Sequence, residues 1–184
     1  MRRIVPAEYR QMPWRNGGGT TTEILVAPAE GRFVHRVSIA DVASDGPFSR
    51  FDGYDRHIML LAGRGMTLDG GPHGVVDLYT PLEPRTFSGD WDVVGTLVEG
   101  PVRDFNLIVD RARATSSLEV RVLADPETLP CPPGTTCILH VIDGELEEAV
   151  AGDTLVVEGE PLALRPRGAA RVAIATVTRL PSVP

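Results

Sequence analysis

Apolar residues along this chain fall in short runs rich in Val, Ile, Leu and Thr, separated every few residues by glycine or proline. The clearest runs are Glu23 to Ala27, Val34 to Val42, His57 to Leu61, Trp91 to Val98 and Phe105 to Val109. They continue as Ser117 to Leu123, Cys137 to Ile142, Thr154 to Glu158 and Arg171 to Val177. Runs of this length between turn signals predict strands of a sandwich or barrel rather than helices. Val34 to Val42 alternates with the strand period, setting His35, Val37, Ile39 and Asp41 on one face and Arg36, Ser38 and Ala40 on the other. Only Pro6 to Arg10 and Asp125 to Leu129, each opened by a proline or an aspartate, read as short helical turns. The fold class is therefore all-β.

A weak internal repeat adds a topology. Ile58 to Met66, an apolar strand running through Gly63 and Gly65, resembles Leu139 to Leu146 with its Gly144. Each copy is followed by a proline-bearing segment (Pro81-Leu82, Pro161-Leu162) and a last apolar strand (Phe105 to Val109, Val172 to Val177). Strand, glycine turn, strand and late return strand is the order of a jelly-roll cupin barrel. Two copies predict a bicupin of two tandem barrels, residues 1–113 and 114–184, sharing one compact unit. The copies differ in polarity. Arg56-His57 aligns with Cys137-Ile138, and Asp104 and Asn106 fall opposite Val172 and Ile174. A ligand site needs a few placed polar groups in an otherwise apolar cavity, so the first barrel is the candidate and the second is structural.

Composition narrows the partners. The net charge of −7 argues against binding a nucleic-acid backbone. No apolar run is long enough to span a bilayer. Met1 to Arg10 has no apolar stretch behind its arginines, so it is not a secretory signal, and a cytoplasmic protein is expected. In that compartment Cys131 and Cys137 are expected as reduced thiols, one in a loop and one in a strand. Their spacing is wrong for a Cys-x-x-Cys motif.

Three segments carry polar side chains suited to a site. Trp14, Asn16 and three threonines surround Gly17-Gly18-Gly19, a stretch able to form an anion cradle of backbone N–H groups or a plain connection. No Lys-Ser/Thr follows the glycines, which excludes a P-loop. Arg36 and Ser38 lie on the polar face of their strand, the lumen face in a ligand-binding barrel. Arg56 and His57 abut the apolar Ile58 to Leu61. An arginine there needs a carboxylate, either internal (Asp104 or Glu23) or supplied by a ligand. The four histidines form no His-x-His pair, so neither a metal nor another cofactor is expected. There is no Gly-x-Ser-x-Gly elbow, and neither cysteine has a base nearby in sequence.

Pro13 to Glu23, Arg36 to Val42, Asp45 to Phe51, Asp55-Arg56 and Gly100 to Leu107, in this order, resemble the HutD/Ves family of bicupin proteins. The resemblance covers roughly the first 110 residues and departs at His57, where the family often has a small polar residue. It implies a cupin fold, no established catalysis and an association with histidine degradation. The expectation that follows is a non-catalytic, regulatory binder of a small anionic metabolite such as N-formylglutamate or urocanate. Planar guanidinium groups suit such carboxylates, and amides can read a formyl end. The expected ligand-binding residues are Trp14, Asn16, Arg36, Ser38, Arg56, His57 and Asn106, with none catalytic. A metal-independent isomerase or lyase using His57 or Asp104 is the alternative, and a purely structural protein is the third. A homodimer is left open.

Overall fold

The computed structural model describes residues 1–181 and is built of strands, with two single 3-10 turns at Pro6–Glu8 and Gly71–His73. In chain order the strands are β1 (Arg2–Ile4), β2 (Arg10–Pro13), β3 (Gly19–Ala27), β4 (His35–Val42), β5 (Gly46–Pro47), β6 (Tyr54–Ala62), β7 (Met66–Asp69), β8 (Val75–Leu78) and β9 (Arg85–Ser88). They continue as β10 (Val94–Leu97), β11 (Val102–Asp110), β12 (Ala114–Leu123), β13 (Glu127–Leu129), β14 (Thr135–Asp143), β15 (Thr154–Glu158), β16 (Leu162–Leu164) and β17 (Ala170–Arg179). All pairings are antiparallel.

Contacts divide the chain into two compact units. The first, Arg10–Ala112, contains a six-stranded sheet in the order β2-β3-β4-β11-β6-β9 and a four-stranded sheet in the order β5-β10-β7-β8. Between them lie Ala40, Val42, Ile58, Leu60 and Val102 from the larger sheet and Met66, Leu68 and Leu78 from the smaller. Each of these side chains except that of Ala40, once out of water, contributes roughly 1.5–3 kcal/mol. The second unit comprises Met1–Tyr9 and the chain from Arg113 onward. Its five-stranded sheet runs β1-β15-β14-β17-β12, beside the pair β13-β16. Leu139, Val141, Leu155, Leu164, Val172 and Ile174 form its core.

Three expectations change. No sheet closes on itself among the described residues, so the units are open sandwiches rather than closed barrels. Asp125 to Leu129 is not a helical turn. Leu129 is buried and its strand pairs with β16, because a segment this short takes its conformation from its partner. The first residues, expected with the N-terminal half, form an edge strand on β15 instead.

Candidate functional site

The register of the six-stranded sheet assembles the site. Residues directly opposite in antiparallel strands share a face. Across β4, β11 and β6, one row is Arg36, Ile108 and Arg56, the next Ser38, Asn106 and Ile58, and the third Ala40, Asp104 and Leu60. Arg36, Ile108 and Arg56 of the first row, with Ser38, Asn106 and Ala40 of the next two, line a cavity of about 500 Å³, while Ile58 and Leu60 lie in the apolar interior. The cavity's other walls come from Trp14, Arg15 and Asn16 after β2, and from Pro47 in β5 and Phe48, Ser49 and Phe51 after it.

The glycine run is structural. Gly17 N–H donates to the Trp14 carbonyl and Gly18 N–H to Asn16 Oδ1 at 3.0 Å, so these groups are not free to cradle an anion. Gly17 sits at φ +72°, and a Cβ on Gly19 would lie 2.4 Å from the Asp41 carbonyl oxygen. Glycine lets the turn lie against the end of β4 and holds Trp14 at the cavity wall. The Trp14 indole N–H donates to Thr21 Oγ1 at 2.8 Å, which leaves the ring as an apolar wall.

Arg56 is the central group. It is 5% exposed, with its guanidinium 4.8 Å from the Phe87 ring centroid, 5.5 Å from that of Phe51 and 5.7 Å from that of Phe48. Its Nη1 donates to the Ser49 carbonyl at 3.2 Å and its Nη2 to Asn106 Oδ1 at 3.0 Å, while Nε has no partner. No carboxylate forms an ion pair with it among the described residues. The carboxylate expected to do so, Asp104, is fully buried and reached only through Asn106, whose Nδ2 donates to Asp104 Oδ1. The other, Glu23, is taken by Arg36, whose Nε donates to its Oε2 at 2.7 Å.

These surroundings shift both charges of the buried line. Burial lowers Arg56 to about 10, against the attraction of Asp104, with Arg36 adding repulsion. Burial likewise pushes Asp104 up to about 7, although Arg56 and the Asn106 hydrogen bond favour its anion. Asp104 Oδ2 has no hydrogen-bond partner. The arrangement is a cation opening on a cavity, backed by an amide and then a carboxyl group.

Of the expected residues, Trp14, Asn16, Arg36, Ser38, Arg56 and Asn106 line this cavity. His57 does not. It is adjacent to Arg56 on one strand and faces the opposite side of the sheet, where its Nδ1 lies 3.1 Å from Thr86 Oγ1. Burial lowers its pKa there. Arg15 is an additional lining residue, exposed and in no ion pair among the described residues. Its place beside Trp14 and Asn16 was the available signal. No group of three His, Cys, Asp or Glu side chains among the described residues converges to hold a metal, and no helix among them is long and apolar enough to cross a membrane.

The family model described as HutD matches residues 6–180. An uncharacterised 21.2 kDa protein of Pseudomonas putida, described as lying in the hutC 3′ region, is 43% identical over 116 residues, 61% of this chain and 60% of that protein. Protein Ves of Citrobacter koseri is 39% identical over 122 residues, 61% of each chain. The match thus spans about three fifths of the length of these curated relatives. The structure of HutD from Pseudomonas fluorescens SBW25 in a formate condition is similar with a TM-score of 0.82 and 31% identity, covering 98% of this chain and 99% of that one.

Proposed function

Because the chain belongs to the HutD family, we propose that it is a non-catalytic regulatory protein of histidine breakdown that binds a small carboxylate in the Arg10–Ala112 unit. One observation carries the reading: Arg56 is a buried, aromatic-flanked cation with an unused Nε and no carboxylate in ion-pair contact, and it opens on a cavity. A buried guanidinium without an anion is costly, and a planar carboxylate is its natural complement. Arg36, already paired with Glu23, shapes the wall instead of supplying free charge. The hutC-region relative and the formate condition of the related structure are consistent with a small acid from this pathway. N-formylglutamate and urocanate, with two carboxylates and one, are the acids to test. We also read the two units as the halves of a bicupin located in the cytoplasm, supported by the common strand register of the two larger sheets.

Calorimetric titration of both acids into wild type and Arg56→Gln, with thermal melts of each, tests the site. Binding lost in the variant, with the melt little changed, supports the reading. A large drop in melting temperature with binding intact moves Arg56 from the site to the scaffold. Slow chemical conversion of the acid during titration replaces the binder with a metal-independent isomerase or lyase.

A further inference from the structure

The line Arg56–Asn106–Asp104 does more than hold a cation in place. Asn106 bridges the two charges, and the carboxyl group dictates its orientation. Its Nδ2 faces Asp104 Oδ1, which turns its Oδ1 toward Arg56 Nη2. Asp104 itself is outside the cavity wall, fully buried, and has one oxygen without a partner. Without a bound anion, Arg56 and Asp104 are therefore each other's compensating charge at one amide's remove. A ligand carboxylate on Arg56 adds a second anion to the same guanidinium. In a poorly solvated interior one cation does not offset two carboxylates, and the carboxyl group remote from solvent is the one that neutralises.

We infer that Asp104 is the positioning residue of the anion site, acting through Asn106, and that it takes up a proton when a carboxylate occupies Arg56. This rests on the carboxylate-binding reading above. The proton goes to Asp104 Oδ2, the oxygen left unpartnered, while Oδ1 keeps the hydrogen bond from Asn106. The elevated pKa of Asp104 in the protein alone places the switch near neutrality.

The charged groups around Asp104 are few. On β6 the only one is Arg56; on β4 they are Asp41, held by Arg103, and Arg36, held by Glu23. The four-stranded sheet offers this interior Met66, Leu68 and Leu78, none of which titrates. The other buried carboxyl group of this unit, Asp110, stands at the far end of β11 and is paired with Arg32.

The test is calorimetry of N-formyl-L-glutamate, whose carboxyl groups stay ionised above pH 6, at pH 8 in HEPES and in Tris and at pH 6 in MES and in bis-Tris. In wild type at pH 8 the observed enthalpy differs between the buffers by the uptake of close to one proton, and at pH 6 by far less. The dissociation constant rises up to about tenfold per pH unit above 7. Asp104→Asn, which keeps an acceptor for Asn106, binds with no buffer dependence and a flat pH profile. Wild-type binding at pH 8 with buffer-independent enthalpy overturns the inference and leaves the carboxylate site standing, and this result needs no variant. Absence of binding heat at both pH values removes the carboxylate reading and the inference with it.

Discussion

Asp104→Asn also changes the ligand-free protein in a way that the geometry makes quantitative. An aspartate in the unfolded chain titrates near 3.8, whereas Asp104 in the folded chain is pushed up to about 7 by burial. The folded state therefore keeps a proton that the unfolded state gives up. Stability from this group falls as pH rises from about 4 to about 7, the reverse of the usual behaviour of an ion-paired carboxylate. At about 1.4 kcal/mol per pH unit, wild type loses about 4 kcal/mol across that window. The loss already includes the attraction of Arg56, which opposes it.

Asparagine does not titrate, so this component of the slope disappears. Its amide N–H group, placed where Oδ2 had no partner, costs about 1–3 kcal/mol at every pH. The variant is thus the less stable protein at pH 4.5 and equals or exceeds wild type at pH 8. Urea unfolding at these two pH values measures the difference. Both tryptophans, Trp14 and Trp91, lie in the Arg10–Ala112 unit, so their fluorescence reports the unit in question. All other titrations cancel when variant is subtracted from wild type. A difference that stays constant within about 1 kcal/mol between the two pH values, against the ~3 expected between pH 4.5 and pH 8, refutes the reasoning.

Three further outcomes follow from placement. Arg15→Gln, at the rim, weakens N-formylglutamate several-fold more than urocanate, because only the former has a second carboxylate for Arg15; equal losses in calorimetry count against this. His57→Gln leaves carboxylate affinity within about twofold of wild type, since the side chain faces away from the cavity; a tenfold loss places His57 in the site after all. Cys131 and Cys137 are free and buried, and burial beside Cys131 pushes the Cys137 thiol up to about 12. Native protein therefore gives no colour with a thiol reagent at pH 8, and denatured protein gives two equivalents per chain.

The long strands were legible because each carries enough β-branched and apolar residues to state its own conformation. β3, β4, β6, β11, β12, β14, β15 and β17 all contain expected runs, the four-residue β10 lies within another, and β7 follows the glycine turn of the repeat as expected. The short strands β1, β2, β5, β8, β9, β13 and β16 had no such signal, since two to four residues take their conformation from a partner. The site shows the same division. Alternation along β4 was enough to put Arg36 and Ser38 on one face. Applied to β6, it would have separated Arg56 from His57, because adjacent strand residues cannot both face one cavity. The capture of Glu23 by Arg36 was hidden, because it depends on the register shift in β3 between Glu23 and Leu25.

The internal repeat gives the candidate site a control within the same chain. In the first unit Asp104, Asn106 and Ile108 lie across from Leu60, Ile58 and Arg56. In the second, Val172, Ile174 and Thr176 lie across from Val141, Leu139 and Cys137, with the ladder broken one step earlier at the same point, between Val141 and Asp143 as between Arg103 and Asp104. Arg56 thus corresponds to Cys137, Asp104 to Val172 and Asn106 to Ile174, and all three counterparts sit in one apolar core. The same backbone ladder is therefore satisfied by apolar side chains, which leave no buried polar atom unpartnered at these positions. The first unit instead keeps an orphaned Arg56 Nε and Asp104 Oδ2, each costing about 1–3 kcal/mol. Packing alone does not require that expense, because the second unit packs without it. An anion that engages Arg56, together with a proton on Asp104, relieves both of the unmet charges at once, and that is the physical reason to place the ligand in the first unit.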